Sequence, residues 1–127
     1  MASYDPFSAP DPDEWLAFDE MERIDMVERF HREFEEMDEA EGSERLHAVI
    51  HVVVENQIAM GEAPVPETVA RLLRQGLDRH DAIHAIGAIV AEEMFGMLQG
   101  SQQAHDPGKY RRRLNKLTAK RWRTGRW

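Results

Sequence analysis

Apolar residues recur at three- and four-residue intervals along most of this chain, which is the spacing of one face of an α-helix. The pattern begins in an acidic segment and stops near Glu39, then resumes after Ser43. A serine at such a break can accept hydrogen bonds from the first amides of the next helix. We therefore expect one helix from about residue 13 or 19 to residue 39, and a second from residue 44 to about Met60.

Glycine residues divide the rest of the chain into three further helices. A short helix ends at Gly76, a longer one begins after Asp78 and ends before Gly100, and a basic helix covers about residues 109–122. No segment shows the strict alternation of apolar and polar residues that is typical of a half-buried strand. The sequence therefore predicts an all-α fold, a small bundle of four to five helices.

The length of 127 residues fits a single domain that can bury a core without disulfides. We expect an irregular acidic start over residues 1–12, a helical core over 13–100, and a linker followed by a basic C-terminal helix or tail over 101–127. The N-terminus lacks the pattern of a secretory signal, and the longest apolar run is far shorter than the roughly 20 residues that span a bilayer. These features predict a cytoplasmic protein without a membrane span.

The net charge of −8 conceals an acidic N-terminal end and a basic C-terminal end. Residues 1–44 carry 16 acidic and 3 basic residues, whereas residues 107–127 carry nine basic residues and no acidic one. Such asymmetry predicts either that the basic end docks on the acidic helix of the same chain or that it meets an anionic partner. The residues that would contact nucleic acid are Arg111, Arg112, Arg113, Lys116, Lys120 and Arg121, interleaved with aromatic rings.

Two of the predicted helices each carry a pair of histidines four residues apart. His47 and His51 form one pair, and His80 and His84 form the other. Side chains at this spacing lie on one face about 5–6 Å apart, so two imidazoles can converge on one ion. Glu55 extends the first stripe by one more turn and adds a carboxylate.

Both stripes flank the apolar arc of their helix, and the second continues into small residues, Gly87, Ala88 and Ala91, that leave room for another helix or a ligand. Since the chain has no cysteine, a metal would be bound by imidazole and carboxylate, as zinc, iron, manganese, nickel or copper can be. Without a metal, the histidines are expected to titrate near neutral pH. The alternative is that they are structural or face solvent.

Other acidic and histidine residues repeat parts of this pattern. Glu28, His31 and Glu35 lie on one face of the first helix, and Glu44 precedes His47 by three residues. Glu-x-x-His motifs bind paired metals in four-helix carboxylate proteins, but the first helix is so acidic that chance explains this spacing well. Glu44 is better explained as a favourable charge in a first helical turn.

The order of His51-x-x-x-Glu55 and His80-x-x-x-His84 resembles the hemerythrin-like pattern of iron-binding bundles, although the last-helix motif is missing. His80-Asp81 is also the dipeptide of the HD phosphohydrolases, without a convincing downstream aspartate. The segments around residues 46–58 and 71–95 resemble a bacterial family catalogued as domain of unknown function 1841, over about residues 44–117. The resemblance implies that the paired histidines are a family feature, and it implies no activity.

The sequence as a whole favours a helical bundle that binds one or two divalent first-row metal ions, zinc, iron, manganese or nickel, through a set of four histidines and one glutamate. These predicted ligands are His47, His51, Glu55, His80 and His84. The alternative is a non-enzymatic interaction module, a homodimer or a nucleic-acid adaptor that uses the basic tail. Whether the protein is an enzyme stays open at this point.

Overall fold

The computed structural model describes residues 3–34, 44–98 and 106–127, and this part of the chain is helical with no strand. The all-α class is therefore confirmed. The seven described helices are α1 (Pro12–Ala17), α2 (Glu20–Phe34), α3 (Glu44–Ala59), α4 (Val65–Arg74), α5 (Arg79–Leu98), α6 (Pro107–Lys116) and α7 (Ala119–Arg123). This number exceeds the predicted four to five because two predicted helices are each divided.

The first division separates α1 from α2. The side chain of Asp11 accepts a hydrogen bond from the amide of Glu14 at 3.1 Å and begins α1. Phe18 is extended, and the side chain of Asp19 then accepts from the amide of Glu22 at 2.8 Å. Two capping aspartates thus produce two helices where apolar spacing predicted one. The end predicted at residue 39 lies outside the described residues.

The second division separates α6 from α7. Asp106 caps α6, and Thr118 caps α7 by accepting from the amide of Arg121 at 3.0 Å. Leu117, between the two helices, has an extended backbone. The single basic helix predicted over residues 109–122 is therefore wrong, because the threonine begins a new helix.

The two histidine-bearing helices agree with the sequence prediction. In the described part of the chain α3 begins at Glu44, and the predicted cap Ser43 lies outside the described residues. The side chain of Asp78 caps α5 by accepting from the amide of Asp81 at 2.8 Å. α3 packs against α1, α2, α4 and α5, so it lies between the two parts of the core. One part joins the N-terminal segment, α1 and α2 to α3, and the other joins α3 to the C-terminal helices.

The C-terminal segment belongs to the core. Leu114 and Leu117 are fully buried there. The guanidinium group of Arg71 on α4 donates to the carbonyl oxygens of both leucines, at 2.7 and 2.9 Å. The side-chain oxygen of Gln75 accepts from the amide of Ala119 at 2.8 Å. A side chain of α4 and the side chain of the residue that follows this helix thus contact the backbone at the end of α6 and the start of α7.

The basic segment forms ion pairs within the molecule. Arg113 pairs with Glu92 and Glu93 of α5, and Lys109 lies 3.9 Å from Glu93. Among the described residues, the acidic partners of Arg113 and Lys109 therefore come from α5, whereas residues 35–43 of the acidic N-terminal region lie outside that part of the chain. None of the described helices is both long enough and apolar enough to cross a membrane.

Candidate metal centre

Four histidines from three helices meet beside the core. His31 comes from α2, His47 and His51 from α3, and His84 from α5, and one ring nitrogen of each lies within 4.8 Å of the others. The Nε2 atoms of His31 and His47 lie 3.1 Å apart. Two nitrogens bound to one tetrahedral zinc ion at the usual bond length lie about 3.3 Å apart. We call these four residues the histidine cluster, and its dimensions suit a single ion.

Close packing of α3 on α5 brings His84 to the histidines of α3. A side chain at Gly87, one turn after His84, would place its Cβ 3.1 Å from Cγ2 of Ile50, a contact tighter than most side chains tolerate. Glycine therefore permits this approach. His47 and His51 flank Ile50 on α3 with the four-residue spacing that directs both rings to the same face.

Hydrogen bonding fixes how the ring of His31 is protonated. Its Nδ1 atom lies 2.8 Å from the carbonyl oxygen of Val27, one turn earlier on α2. A carbonyl oxygen only accepts, so Nδ1 carries the proton and the lone pair of the neutral ring is on Nε2. That lone pair is on the side of His47, where a metal ligand would need it.

His51 is oriented by a second set of buried side chains. The hydroxyl of Tyr4 donates to Glu55 and lies 3.1 Å from Nδ1 of His51. Since the hydroxyl proton is given to the carboxylate, the oxygen of Tyr4 accepts from Nδ1–H of His51. The lone pair of His51 is then on Nε2, as it is in His31. Burial, and next the charge of Glu55, raise the pKa of Tyr4 well above its usual value, so the phenol keeps its proton.

Glu55 itself is held by an arginine. The guanidinium group of Arg79 donates to the two oxygens of Glu55 at 2.8 and 2.7 Å and also donates to the carbonyl oxygen of Pro6 at 2.9 Å. The side chains of Glu55 and Arg79 are 1% and 8% exposed, so this ion pair is buried. We call these three side chains the Tyr4–Glu55–Arg79 network.

Two nitrogens of the histidine cluster have no hydrogen-bond partner among the described residues. They are Nε2 of His51 and Nε2 of His84, and both are buried. A buried polar atom without a partner costs about 1–3 kcal/mol, and native proteins rarely keep one without a reason such as an ion or a water molecule. The unpartnered atoms therefore mark the position where an ion would be bound.

Burial favours the neutral form of three of these imidazoles. Burial, and next repulsion from His31 and His84, lower the pKa of His47 to about 4. The pKa of His84 is also about 4, for burial and for repulsion by His80 and His31. Burial lowers the pKa of His51 well below its usual value. The expectation of titration near neutral pH is therefore wrong for these residues, which already have the protonation state that a metal requires.

The structure places the predicted site residues in three different positions. His47, His51 and His84 belong to the histidine cluster. His80 is outside it, although its ring centroid lies 4.2 Å from that of His84. Glu55 is also outside, since its oxygens are engaged by Arg79 and Tyr4, and it reaches His51 through Tyr4.

Sequence reasoning left His31 out of the predicted ligands. Its only signal was the Glu28-x-x-His31 spacing, which is weak in so acidic a helix, and Glu28 forms an ion pair with Arg45. The stronger signal would have been the helix face, because His31 follows Val27 by one turn and Val27 is fully buried. Glu35 lies outside the described residues, and Glu44 begins α3 as expected.

Comparisons with known proteins found no match among family models, among curated proteins or among solved structures. The resemblance to the family of domain of unknown function 1841 stays a prediction.

Proposed function

We propose that this protein binds one divalent first-row metal ion through His31, His47, His51 and His84. The observation that carries the proposal is the convergence of four imidazole nitrogens within 4.8 Å of one another. The unpartnered Nε2 atoms of His51 and His84 support it, because an ion would satisfy both atoms. A set of four nitrogen ligands is tetrahedral in the usual zinc sites.

The ligand set narrows the choice of metal. Zinc, iron and nickel are well suited to imidazole, whereas manganese is better suited to carboxylate, carbonyl and water oxygens. Glu55, the carboxylate predicted as a ligand, is engaged by Arg79 and Tyr4. In this proposal Glu55 orients His51 through Tyr4, and manganese is the least favoured of the four predicted ions.

The test combines metal analysis with thermal unfolding of protein purified without a histidine tag. We expect one metal ion per chain and a higher melting temperature when zinc, iron(II) or nickel is added. An ion present at 100 times its Kd stabilises the folded state by about 2.7 kcal/mol. The variant with both His51→Ala and His84→Ala should lose this stabilisation and stay helical.

His80→Ala is the matched control, since His80 shares α5 with His84 and is outside the histidine cluster. This variant should keep its metal content and its metal-dependent melting temperature. A wild-type protein that carries no metal, and that gains no more stability from added ions than the double variant does, would show that the histidines have a structural role.

A second candidate function is the binding of nucleic acid by the C-terminal helices. Although Arg113 is paired with α5, five of the six predicted contact residues are exposed on the surface. These are Arg111, Arg112, Lys116, Lys120 and Arg121. If they contact phosphates, affinity for a duplex should fall steeply with salt through the release of counterions. Binding that is undetectable at low salt would remove this candidate. The predicted homodimer stays a prediction.

A further inference from the structure

A cavity of about 280 Å³ opens directly beside the histidine cluster. Three of the four cluster residues, His47, His51 and His84, line it. Apart from these imidazoles, its described lining is aliphatic except for Trp122 of α7. An ion bound to the cluster would therefore face a half-open cavity rather than a fully packed core.

Beyond Ile83 and His84, the side chains that α5 contributes to the cavity lining are small. Ala88 follows His84 by four residues and Ala91 by seven, so all three lie along one face of the helix. Both alanines line the cavity and are half-buried. Trp122 also lines the cavity, so a helix of the basic segment contributes to its wall.

The charge of the site favours an anionic occupant. Neutral imidazoles leave a divalent ion with its full positive charge, and none of the described residues that line the cavity is acidic. A bound cation is then the largest local charge in the site. A zinc ion with four ligands can also expand to five-coordinate. The cavity thus combines an attraction for a negative donor atom with apolar walls.

We propose that this cavity binds a small monoanion with an apolar body, such as a monocarboxylate, whose charged end coordinates the metal ion as an additional ligand. The inference rests on the proposed metal site and adds the chemical class of its ligand. The size agrees with it, since an apolar cavity of about 150 Å³ accommodates benzene. The available volume is large enough for an aromatic carboxylate.

The experiment uses the full chain loaded with cobalt(II), whose visible spectrum reports the number of ligands. Acetate, benzoate and the neutral analogue benzamide are titrated separately, and cobalt content is measured in every sample. Both carboxylates should change the spectrum with saturation, and benzamide should bind more weakly than benzoate. The spectral change distinguishes coordination of the ion from binding elsewhere on the protein.

Ala88→Leu tests the cavity itself, because its larger side chain would occupy the space that benzoate needs. The variant should weaken benzoate binding about tenfold or more, because the leucine side chain and the aromatic ring cannot occupy the same volume, and should affect acetate less. Ala17→Leu, the same change at an exposed position of α1, is the matched control and should bind both as wild type does.

The outcomes separate this inference from the metal site. If protein with one cobalt per chain shows no spectral change with either carboxylate, the ligand site is disproved and the metal site stands. If Ala88→Leu keeps wild-type affinity for benzoate and a normal cobalt content, the carboxylate binds outside the cavity and the inference fails. If wild type retains no cobalt, the proposed function and this inference fail together.

Discussion

The histidine cluster and the Tyr4–Glu55–Arg79 network are two buried polar groups that touch each other through Tyr4 and His51. In the network, the carboxylate of Glu55 receives hydrogen bonds from both Tyr4 and Arg79. In the cluster, the Nε2 atoms of His51 and His84 meet no partner among the described side chains. The hydrogen bonds of the network are therefore made within the protein, whereas two buried nitrogens of the cluster have no such partner among the described residues.

The two groups also differ in charge. The network contains opposite charges, so burial is offset by the ion pair. The cluster contains groups of the same kind, and protonation of one opposes protonation of the next. Burial and this repulsion together lower the pKa of His84 to about 4. Neutral imidazoles with unpartnered nitrogens are suited to binding an ion. A buried ion pair whose hydrogen bonds are made within the protein is suited to orienting those imidazoles.

The largest expected effect comes from breaking the network. Glu55→Ala leaves the guanidinium of Arg79 buried without its carboxylate, and loss of one partner from a buried pair costs about 3–5 kcal/mol. Urea unfolding of the metal-free protein measures this loss. Glu28→Ala, which removes one of the two carboxylate partners of the more exposed Arg45, is the control and should have a much smaller effect. Equal losses in the two variants would contradict the structural role given to the network.

A smaller effect is expected where the two groups meet. Tyr4→Phe removes the hydroxyl that accepts from His51, so the ring is no longer held with its Nε2 lone pair toward the ion. Loss of such an outer partner typically lowers metal affinity 10–100-fold. Competition with a chelator measures the Kd. Tyr110→Phe, whose hydroxyl donates to Gln57 at 2.7 Å, is the control and should leave the Kd unchanged. Equal metal affinities in Tyr4→Phe and wild type would show that the Tyr4–Glu55–Arg79 network does not orient His51 for the metal.

The smallest expected effect is a change in pH dependence. The pKa of His84 is about 4 in the folded protein and near 6.5 when unfolded, so between these values the unfolded state binds more protons. Stability of the metal-free protein therefore rises with pH across this window and is lost as pH falls through it. His84→Ala removes up to one proton from that difference, which is at most about 1.4 kcal/mol per pH unit.

Unfolding free energies of both proteins at several values between pH 4.5 and pH 7 give the two slopes. The slope of His84→Ala should be the shallower one. Identical slopes would show that His84 is as accessible to protons in the folded protein as in the unfolded chain, which would contradict its burial in the cluster.

Local spacing was sufficient to predict part of the site. The four-residue separation of His47 and His51 determines that both rings share a face of α3, and the same rule aligns His84 with the small residues of α5. Glu55 was also correctly placed on the stripe of His51, since the two lie four residues apart. What spacing does not determine is which neighbour occupies the oxygens of Glu55.

The missing parts of the site depend on tertiary packing. Tyr4 lies outside the helices, and the face of α2 that carries His31 meets α3 only in the folded chain. Arg79 and His80 are adjacent at the start of α5, yet one binds Glu55 and the other lies beside the cluster. Helix caps limited the fold prediction in a similar way. The apolar spacing continues past Asp19 and Thr118, whereas the helical backbone is interrupted at both residues.

Because of the contacts of Arg71 and Gln75, the position of the C-terminal helices does not depend on the charge of their surface. Both side chains bind backbone groups, at Leu114, Leu117 and Ala119, and such contacts are indifferent to the side chains around them. Exposed residues such as Lys116 and Lys120 can therefore change identity without releasing the segment. The charge of this surface can therefore differ between related chains while Trp122 stays in place. In all of them, amide hydrogen exchange at Ala119 is expected to stay slow.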